Sequence, residues 1–231
     1  MDITTSNLLF AFGVTIFAGL STGIGSALAF YTKQTNTKFL SGALGFSAGV
    51  MIYVSFVEIL VKAKDSLATV YGQTTGNWIA VAGFFAGIAL IAIIDKFVPS
   101  GENPHEVRDV SDMYGDEIAT TSDDSLKQAA ENKALMRMGL FSALAIAIHN
   151  FPEGLATFVA AIQDPALGLS IAVAIAIHNI PEGIAVSVPI YFATGSKRKA
   201  FRYSFLSGLS EPLGAVVGYL FLMRYLSDTM F

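Results

Sequence analysis

Long runs of apolar residues, separated by shorter polar stretches, make up most of this chain of 231 residues. Each run holds about 20 residues or more, the length that an α-helix needs to cross about 30 Å of hydrocarbon. A segment within hydrocarbon must satisfy its own backbone hydrogen bonds, and these runs are too long to be strands of a membrane barrel. We therefore predict an all-α, polytopic membrane helix bundle. Its six transmembrane helices are expected at 7–31, 39–63, 77–98, 135–162, 167–192 and 200–226.

The first apolar run is predicted to be a membrane helix and not a cleaved signal peptide. Ala27-Leu28-Ala29 does resemble the small-residue site at which signal peptides are cut. However, residues 1–7 contain no Lys or Arg, and the run from Leu8 to Tyr31 is longer than the core of a signal peptide.

A single long polar segment, 99–134, interrupts the apolar pattern. Nine of the 18 acidic residues of the chain lie between residues 99 and 137. A disordered acidic linker is the interpretation that this composition favours. A weak metal-collecting loop, using His105 with nearby carboxylates, is the alternative. The chain is thus predicted to divide into 1–98 with helices one to three, the cytoplasmic acidic loop 99–134, and 135–231 with helices four to six.

The basic residues predict how the bundle is oriented. Eleven Lys and Arg residues fall in the connections after spans one, three and five, and three fall on the other side. Cytoplasmic connections carry the excess of positive charge. We therefore expect a multi-pass protein of the cell (inner or plasma) membrane, with its N-terminus outside.

Composition limits the chemistry that the chain can perform. It is 53% hydrophobic and only 14% charged, whereas soluble domains carry about 25% charged residues. There are no cysteines, which excludes disulfides and thiolate metal sites. Any metal would be held by His, carboxylate, amide or backbone oxygen.

The strongest chemical signal is a repeat of the pattern His-Asn-x-Pro-Glu-Gly. It occurs at 149–154 in span four and at 178–183 in span five. In each copy the His and the Glu are four residues apart, so they lie on one face of a helix. The proline removes a backbone hydrogen bond and frees the carbonyl four residues earlier. Each motif therefore offers imidazole, carboxylate, amide and carbonyl ligands together.

Depth in the membrane is the second argument for a site. The turn between spans four and five is predicted at Asp164-Pro165, and both His149 and His178 lie about 20 Å from it at 1.5 Å per residue. In antiparallel neighbours this puts both motifs at one level, near the bilayer midplane. Asn150 and Asn179 then lie beside the two histidines.

Span six adds Glu211, a third carboxylate within an apolar run. Ionised groups at this depth are costly and are functional by default. No Lys or Arg lies in the middle of a span, so a metal or protons must neutralise Glu153, Glu182 and Glu211. The ligand types suit Zn²⁺ or Fe²⁺, and the oxygen-rich part suits Mn²⁺. Hydrogen bonds between helices would explain the His and Asn residues. They would not explain why Glu and Pro occur at matching positions in both motifs.

The sequence allows two interpretations of Glu58. It lies four residues before Lys62 and could pair with it at the interface. It could equally contribute to metal binding.

These motifs resemble those of the ZIP (Zrt/Irt-like) divalent-metal transporters. The segments Phe46–Glu58 (FSAGVMIYVSFVE) and Ala193–Arg198 (ATGSKR) are similar to the bacterial ZupT-type branch of that family. The resemblance implies import of zinc, with iron, manganese, cobalt and cadmium as further substrates, by sliding of spans one, four, five and six against the rest. It also implies a binuclear site. One half would comprise His149, Glu153, His178 and Glu182, and the other Asn150, Glu153, Asn179, Glu182 and Glu211.

The family has eight spans, and six are predicted here, so the resemblance leaves spans seven and eight without a counterpart. A transport-incompetent metal-binding fragment is therefore one alternative function. A membrane metallohydrolase is another, although the spacing His-x-x-x-Glu differs from the His-Glu-x-x-His of zincins. The expected partners are divalent metal ions, the lipid bilayer and, by resemblance, a second copy of the chain as a homodimer. No nucleic acid is expected.

Overall fold

The computed structural model describes residues 4–30, 37–97 and 124–222, and these residues form helices and no strands. The prediction of an all-α membrane bundle is confirmed. The segments are named here in chain order, with π for π-helical pieces: α1 (Thr5–Ala29), α2 (Thr37–Tyr53), π1 (Val54–Ile59), α3 (Leu60–Tyr71), α4 (Gln73–Phe97), α5 (Asp124–Gln163), α6 (Pro165–Thr194), α7 (Lys197–Gly208), α8 (Ser210–Val217) and π2 (Gly218–Leu222).

Five helices among the described residues are long and apolar enough to cross a membrane: Thr5–Ala29, Gly45–Tyr71, Gln73–Ile93, Lys127–Gln163 and Pro165–Thr194. The second of these runs through α2, π1 and α3. The predicted sixth span corresponds to α7, α8 and π2, which follow one another from 197 to 222. Its helix is interrupted at Leu209, directly before the segment that carries Glu211. The chain is thus a multi-pass membrane protein.

Helix α5 begins at Asp124, within the segment 99–134 that was predicted to be a loop. The rest of that segment, up to residue 123, lies outside the described residues, together with His105 and its neighbouring carboxylates. The division of the chain into three parts therefore stays a prediction.

The described helices pack as two groups. Helices α1, α5, α6, α7 and α8 form one group, in which α6 packs mainly on α1 and α5, and α8 packs mainly on α5. The segment from α2 to α4 is attached to this group mostly through contacts of α2 and π1 with α6, while α4 packs on α3. Apolar side chains on α4, among them Trp78 and Phe85, are not covered by the other described helices. This is expected for a helix surface that faces lipid.

A sharp turn joins the two helices that carry the repeated motif. Asp164 caps α6: its Oδ1 accepts hydrogen bonds from the backbone N–H groups of Ala166 at 3.0 Å and Leu167 at 3.2 Å. Pro165 occupies the first helical position, where a missing N–H costs nothing. The predicted turn at Asp164-Pro165 is confirmed, and it makes α5 and α6 adjacent and antiparallel.

Candidate metal site

The two copies of the His-Asn-x-Pro-Glu-Gly motif face each other across α5 and α6. The ring centroids of His149 and His178 are 5.7 Å apart. Within the motifs, His149 Nε2 lies 3.3 Å from Glu153 Oε1, and His178 Nε2 lies 3.0 Å from Glu182 Oε1. Both helices continue through Pro152 and Pro181, so the spacing of four residues keeps each His beside its Glu.

One group of side chains has the geometry of a metal site. His149, His178 and Glu182 each offer one ligand atom, and these atoms lie within 4.8 Å of one another. Imidazole nitrogen and carboxylate oxygen are the ligands that zinc takes in proteins that lack cysteine at the site.

The two asparagines are completely buried and connect the motifs to carboxylates. Asn179 Nδ2 donates to the carbonyl of Ala18 on α1 at 2.9 Å, and also to Glu211 Oε1. The amide orientation of Asn150 that satisfies its surroundings lets the nitrogen donate to Glu182 Oε2 at 3.2 Å and to the carbonyl of Ile146 at 3.1 Å.

Side-chain contacts connect five of the seven sequence-predicted ligands in the described structure, and the other two, Asn179 and Glu211, contact each other. His149 contacts Glu153 and faces His178; His178 contacts Glu182, which Asn150 also contacts. The pair Asn179 and Glu211 lies next to these five through the backbone, because Asn179 follows His178 and Gly154, which follows Glu153, packs on the backbone of Glu211.

Several buried polar atoms of this cluster have no hydrogen-bond partner within the described residues. They are both carboxylate oxygens of Glu153, Oε2 of Glu211, Oδ1 of Asn179 and Nε2 of His178. Buried polar atoms are almost always satisfied, and four of these five are carboxylate or amide oxygens, which a cation would satisfy.

The glycines of the motif have a packing role that the sequence pattern did not reveal. A Cβ on Gly154 would overlap the backbone carbonyl of Glu211 on α8, and a Cβ on Gly183 would overlap that of Thr22 on α1. Small residues let membrane helices approach closely. Each glycine, directly after the glutamate of its motif, therefore allows a neighbouring helix to pack closely against the motif.

Two contacts, one at the site and one at the Asp164 turn, were not predicted from the sequence. Ser47 Oγ on α2 lies 2.6 Å from His178 Nδ1. Lys62 donates to Asp164 Oδ2 at 3.1 Å, and in the described part of the chain it forms no pair with Glu58, which lies in π1. A serine in an apolar run and a pair 102 positions apart give no periodic signal that a sequence could reveal.

Comparison with known proteins gives a family model and several relatives that match this chain. The model of the family described as "ZIP Zinc transporter" matches residues 99–229. A zinc transporter ZupT from Lysinibacillus sphaericus is 63% identical over 225 residues, covering 97% of this chain and 80% of the relative. The proteins of the same name from Oceanobacillus iheyensis and Clostridium perfringens are 61% and 59% identical, with coverage of 97% and 96% of this chain and 80% and 79% of theirs.

Proposed function

Because the chain belongs to the ZIP zinc transporter family, we propose that it imports Zn²⁺ through the buried cluster formed by the two repeated motifs and Glu211. The observation that carries this proposal is that four of the seven candidate ligands, Glu153, His178, Asn179 and Glu211, have buried polar atoms without a hydrogen-bond partner among the described residues. A carboxylate in hydrocarbon needs a compensating positive charge, and a passing divalent ion supplies it.

The histidine-rich part of the cluster is the proposed zinc position. His149, His178 and Glu182 would share the ion, since their ligand atoms already lie within 4.8 Å of one another. Glu153 would be the fourth ligand, because it contacts His149 and its oxygens have no donor. Four N and O ligands complete the tetrahedral set that zinc prefers.

An oxygen-rich part is the proposed position for a second ion. Asn150, Asn179 and Glu211 would hold it, with Glu153 and Glu182 bridging to the first. Support comes from the contacts of Asn150 with Glu182 and of Asn179 with Glu211. Carboxylate and amide oxygens suit Mn²⁺, and imidazole suits Fe²⁺ as well as Zn²⁺, so Mn²⁺ and Fe²⁺ are proposed as further substrates.

Binding exchanges the water shell of the ion for imidazole and carboxylate, and displaces any protons that these groups hold. The excess of Lys and Arg in the connections after spans one, three and five supports an N-terminus outside. The Asp164 turn would then lie on the outer side of the membrane, and the C-terminal ends of α1, α4 and α6 would lie on the cytoplasmic side. Zinc would pass from the first side to the second. Because the family consists of transporters, the chain is not an enzyme, and we do not propose that it hydrolyses a substrate.

Radioactive zinc uptake by zinc-starved cells tests this function. Cells producing the chain are compared with cells producing the double variant Glu153→Ala, Glu182→Ala, and with the control Asp65→Ala, which removes an exposed carboxylate on α3. Amounts of protein in the membrane are matched by blotting. We expect uptake with the chain and the control, and none with the double variant.

Two outcomes would contradict the proposal. Undiminished uptake by the double variant would show that Glu153 and Glu182 are not part of the transport site. Absence of uptake by all three, while the purified chain still binds zinc, would mean that this chain binds metal without carrying it.

A further inference from the structure

Ser47 is unusual among its neighbours on α2. Of the α2 side chains that the structure describes (residues 41, 42 and 45–53), Ser47 alone is buried, with 2% of its surface exposed. The partly buried Val50 and Met51 and the buried Val54 follow it at three, four and seven positions. This spacing defines one helix face, and α2 and π1 contact α6. Ser47 is therefore the polar member of an otherwise apolar seam.

The hydroxyl of Ser47 is directed at one specific atom of the candidate site. Its Oγ lies 2.6 Å from Nδ1 of His178, well within hydrogen-bond distance. The other ring nitrogen, Nε2, faces Glu182 at 3.0 Å. The two nitrogens of His178 thus have separate surroundings: one faces the seam with α2 and the other faces the ligand cluster.

The chemistry of imidazole connects these two surroundings. A neutral imidazole carries one N–H, and a nitrogen can bind a metal only through its lone pair. Ligation through Nε2 therefore requires the proton on Nδ1. Metal-binding histidines commonly donate this second N–H to an oxygen, which fixes the tautomer and the ring orientation and makes the ligating nitrogen more basic.

We propose that Ser47 is a positioning residue for metal binding: Nδ1–H of His178 donates to Ser47 Oγ, and this bond keeps Nε2 as the ligating atom. The inference rests on the proposed function of the cluster. It also extends that function, since Ser47 lies on α2, which carries none of the seven candidate ligands. The bond makes the affinity of the site depend on the placement of α2 against α6.

The test compares three variants of the full chain purified in detergent. Ser47→Ala removes the acceptor with little change in volume, Ser47→Thr keeps a hydroxyl, and Ser41→Ala removes an exposed serine from the same helix. Zinc affinity is measured by titration calorimetry. Loss of an outer partner of a metal ligand typically costs about 10–100-fold in affinity. We expect this loss for Ser47→Ala, and affinities within about threefold of wild type for the other two.

A spectroscopic measurement separates positioning from a packing effect. The chain has three histidines, so ¹⁵N-histidine labelling gives few signals, and the signal of His178 is identified by its loss in His178→Gln. In the zinc-loaded wild type we expect His178 to show a protonated Nδ1 and a metal-bound Nε2. In Ser47→Ala we expect this pattern to weaken or to be mixed with the reverse one.

Each outcome bears on one of the two proposals. Wild-type affinity and an unchanged His178 pattern in Ser47→Ala would overturn the role of Ser47, as would a Thr variant that binds as weakly as the Ala variant. Failure of the wild type itself to bind zinc would instead overturn the proposed function. Circular dichroism of all variants shows whether the helices are retained.

Discussion

The side-chain amide of Asn179 donates to the carboxylate of Glu211, and both side chains are completely buried. The same nitrogen donates to the carbonyl of Ala18 at 2.9 Å. One side chain on α6 therefore ties together α1 and α8 at the level of the repeated motifs. Oε2 of Glu211 and Oδ1 of Asn179 have no donor among the described residues. The pair is thus only half satisfied by protein, which is unfavourable for stability and favourable for taking up a cation.

Replacing Glu211 by its neutral isostere should separate stability from function. Glu211→Gln keeps a side-chain oxygen that can accept from Asn179, and it removes a carboxyl group that pairs with no Lys or Arg among the described residues. We therefore expect the stability of the metal-free protein to stay within about 1–2 kcal/mol of wild type. The amide is a weaker ligand than a carboxylate, so zinc uptake should fall about 10-fold or more. Thermal unfolding in detergent and zinc uptake in cells measure the two effects. Uptake at the wild-type rate would exclude Glu211 from the site.

Helix contact at the motif glycines predicts a steric effect. In Gly154→Ala the new Cβ would overlap the carbonyl of Glu211, which must push α8 away from α5. Overpacking of this kind costs about 1–3 kcal/mol. Gly13→Ala on α1 is the matched control, because a Cβ there would meet nothing within 4 Å. We expect a lower midpoint of thermal unfolding and reduced zinc binding for Gly154→Ala only. Equal midpoints for both variants would contradict the close packing of α5 on α8 at Gly154.

The sequence predicted the parts of the site that depend on local geometry. His149 beside Glu153 and His178 beside Glu182 follow from the 3.6-residue period of a helix. The meeting of the two motifs follows from equal distances to one turn, at Asp164. Both arguments need only chain length and helix rise. The structure agrees with both.

Other features depended on packing that no local pattern encodes. Ser47 reaches His178 across 131 positions, and Lys62 pairs with Asp164 although Glu58 lies one helical turn away from it. The interruption of the sixth span at Leu209 was also not predicted, since Gly208 and Pro212 are both tolerated within membrane helices. Which neighbour a side chain meets is set by how the helices are arranged around it.

Comparison of the histidines offers a direct test of where zinc binds. His149→Ala removes one of the three ligands whose atoms lie within 4.8 Å of one another, so we expect the zinc dissociation constant to rise about 10-fold or more. His105→Ala changes the histidine of the acidic segment and should leave the dissociation constant within about twofold. Calorimetry on the purified variants gives both values. A larger loss for His105→Ala would favour the metal-collecting loop over the membrane cluster.

The turn at Asp164 predicts a pH dependence of stability that is independent of the metal site. The backbone N–H of Leu167, and after it Lys62, hold the pKa of the Asp164 carboxyl below its ordinary value of 3.8. A lowered pKa in the folded state means that this carboxylate stabilises the fold at all pH values above the ordinary pKa. The stabilisation is then lost as the pH falls through the lowered one.

Removal of this carboxylate should therefore cost stability at neutral pH and reduce the loss on acidification. Asp164→Ala removes the helix cap, which is worth about 1 kcal/mol. Lys62→Met leaves the cap and removes only a half-exposed ion pair, worth about 0–1 kcal/mol. We expect the midpoint of thermal unfolding at pH 7 to fall more for Asp164→Ala than for Lys62→Met. Between pH 5 and pH 3 the decline should be shallower for Asp164→Ala than for wild type. Parallel declines would mean that Asp164 titrates alike in the folded and unfolded chain, and that the turn is held by Pro165 and the packing of α5 on α6 alone.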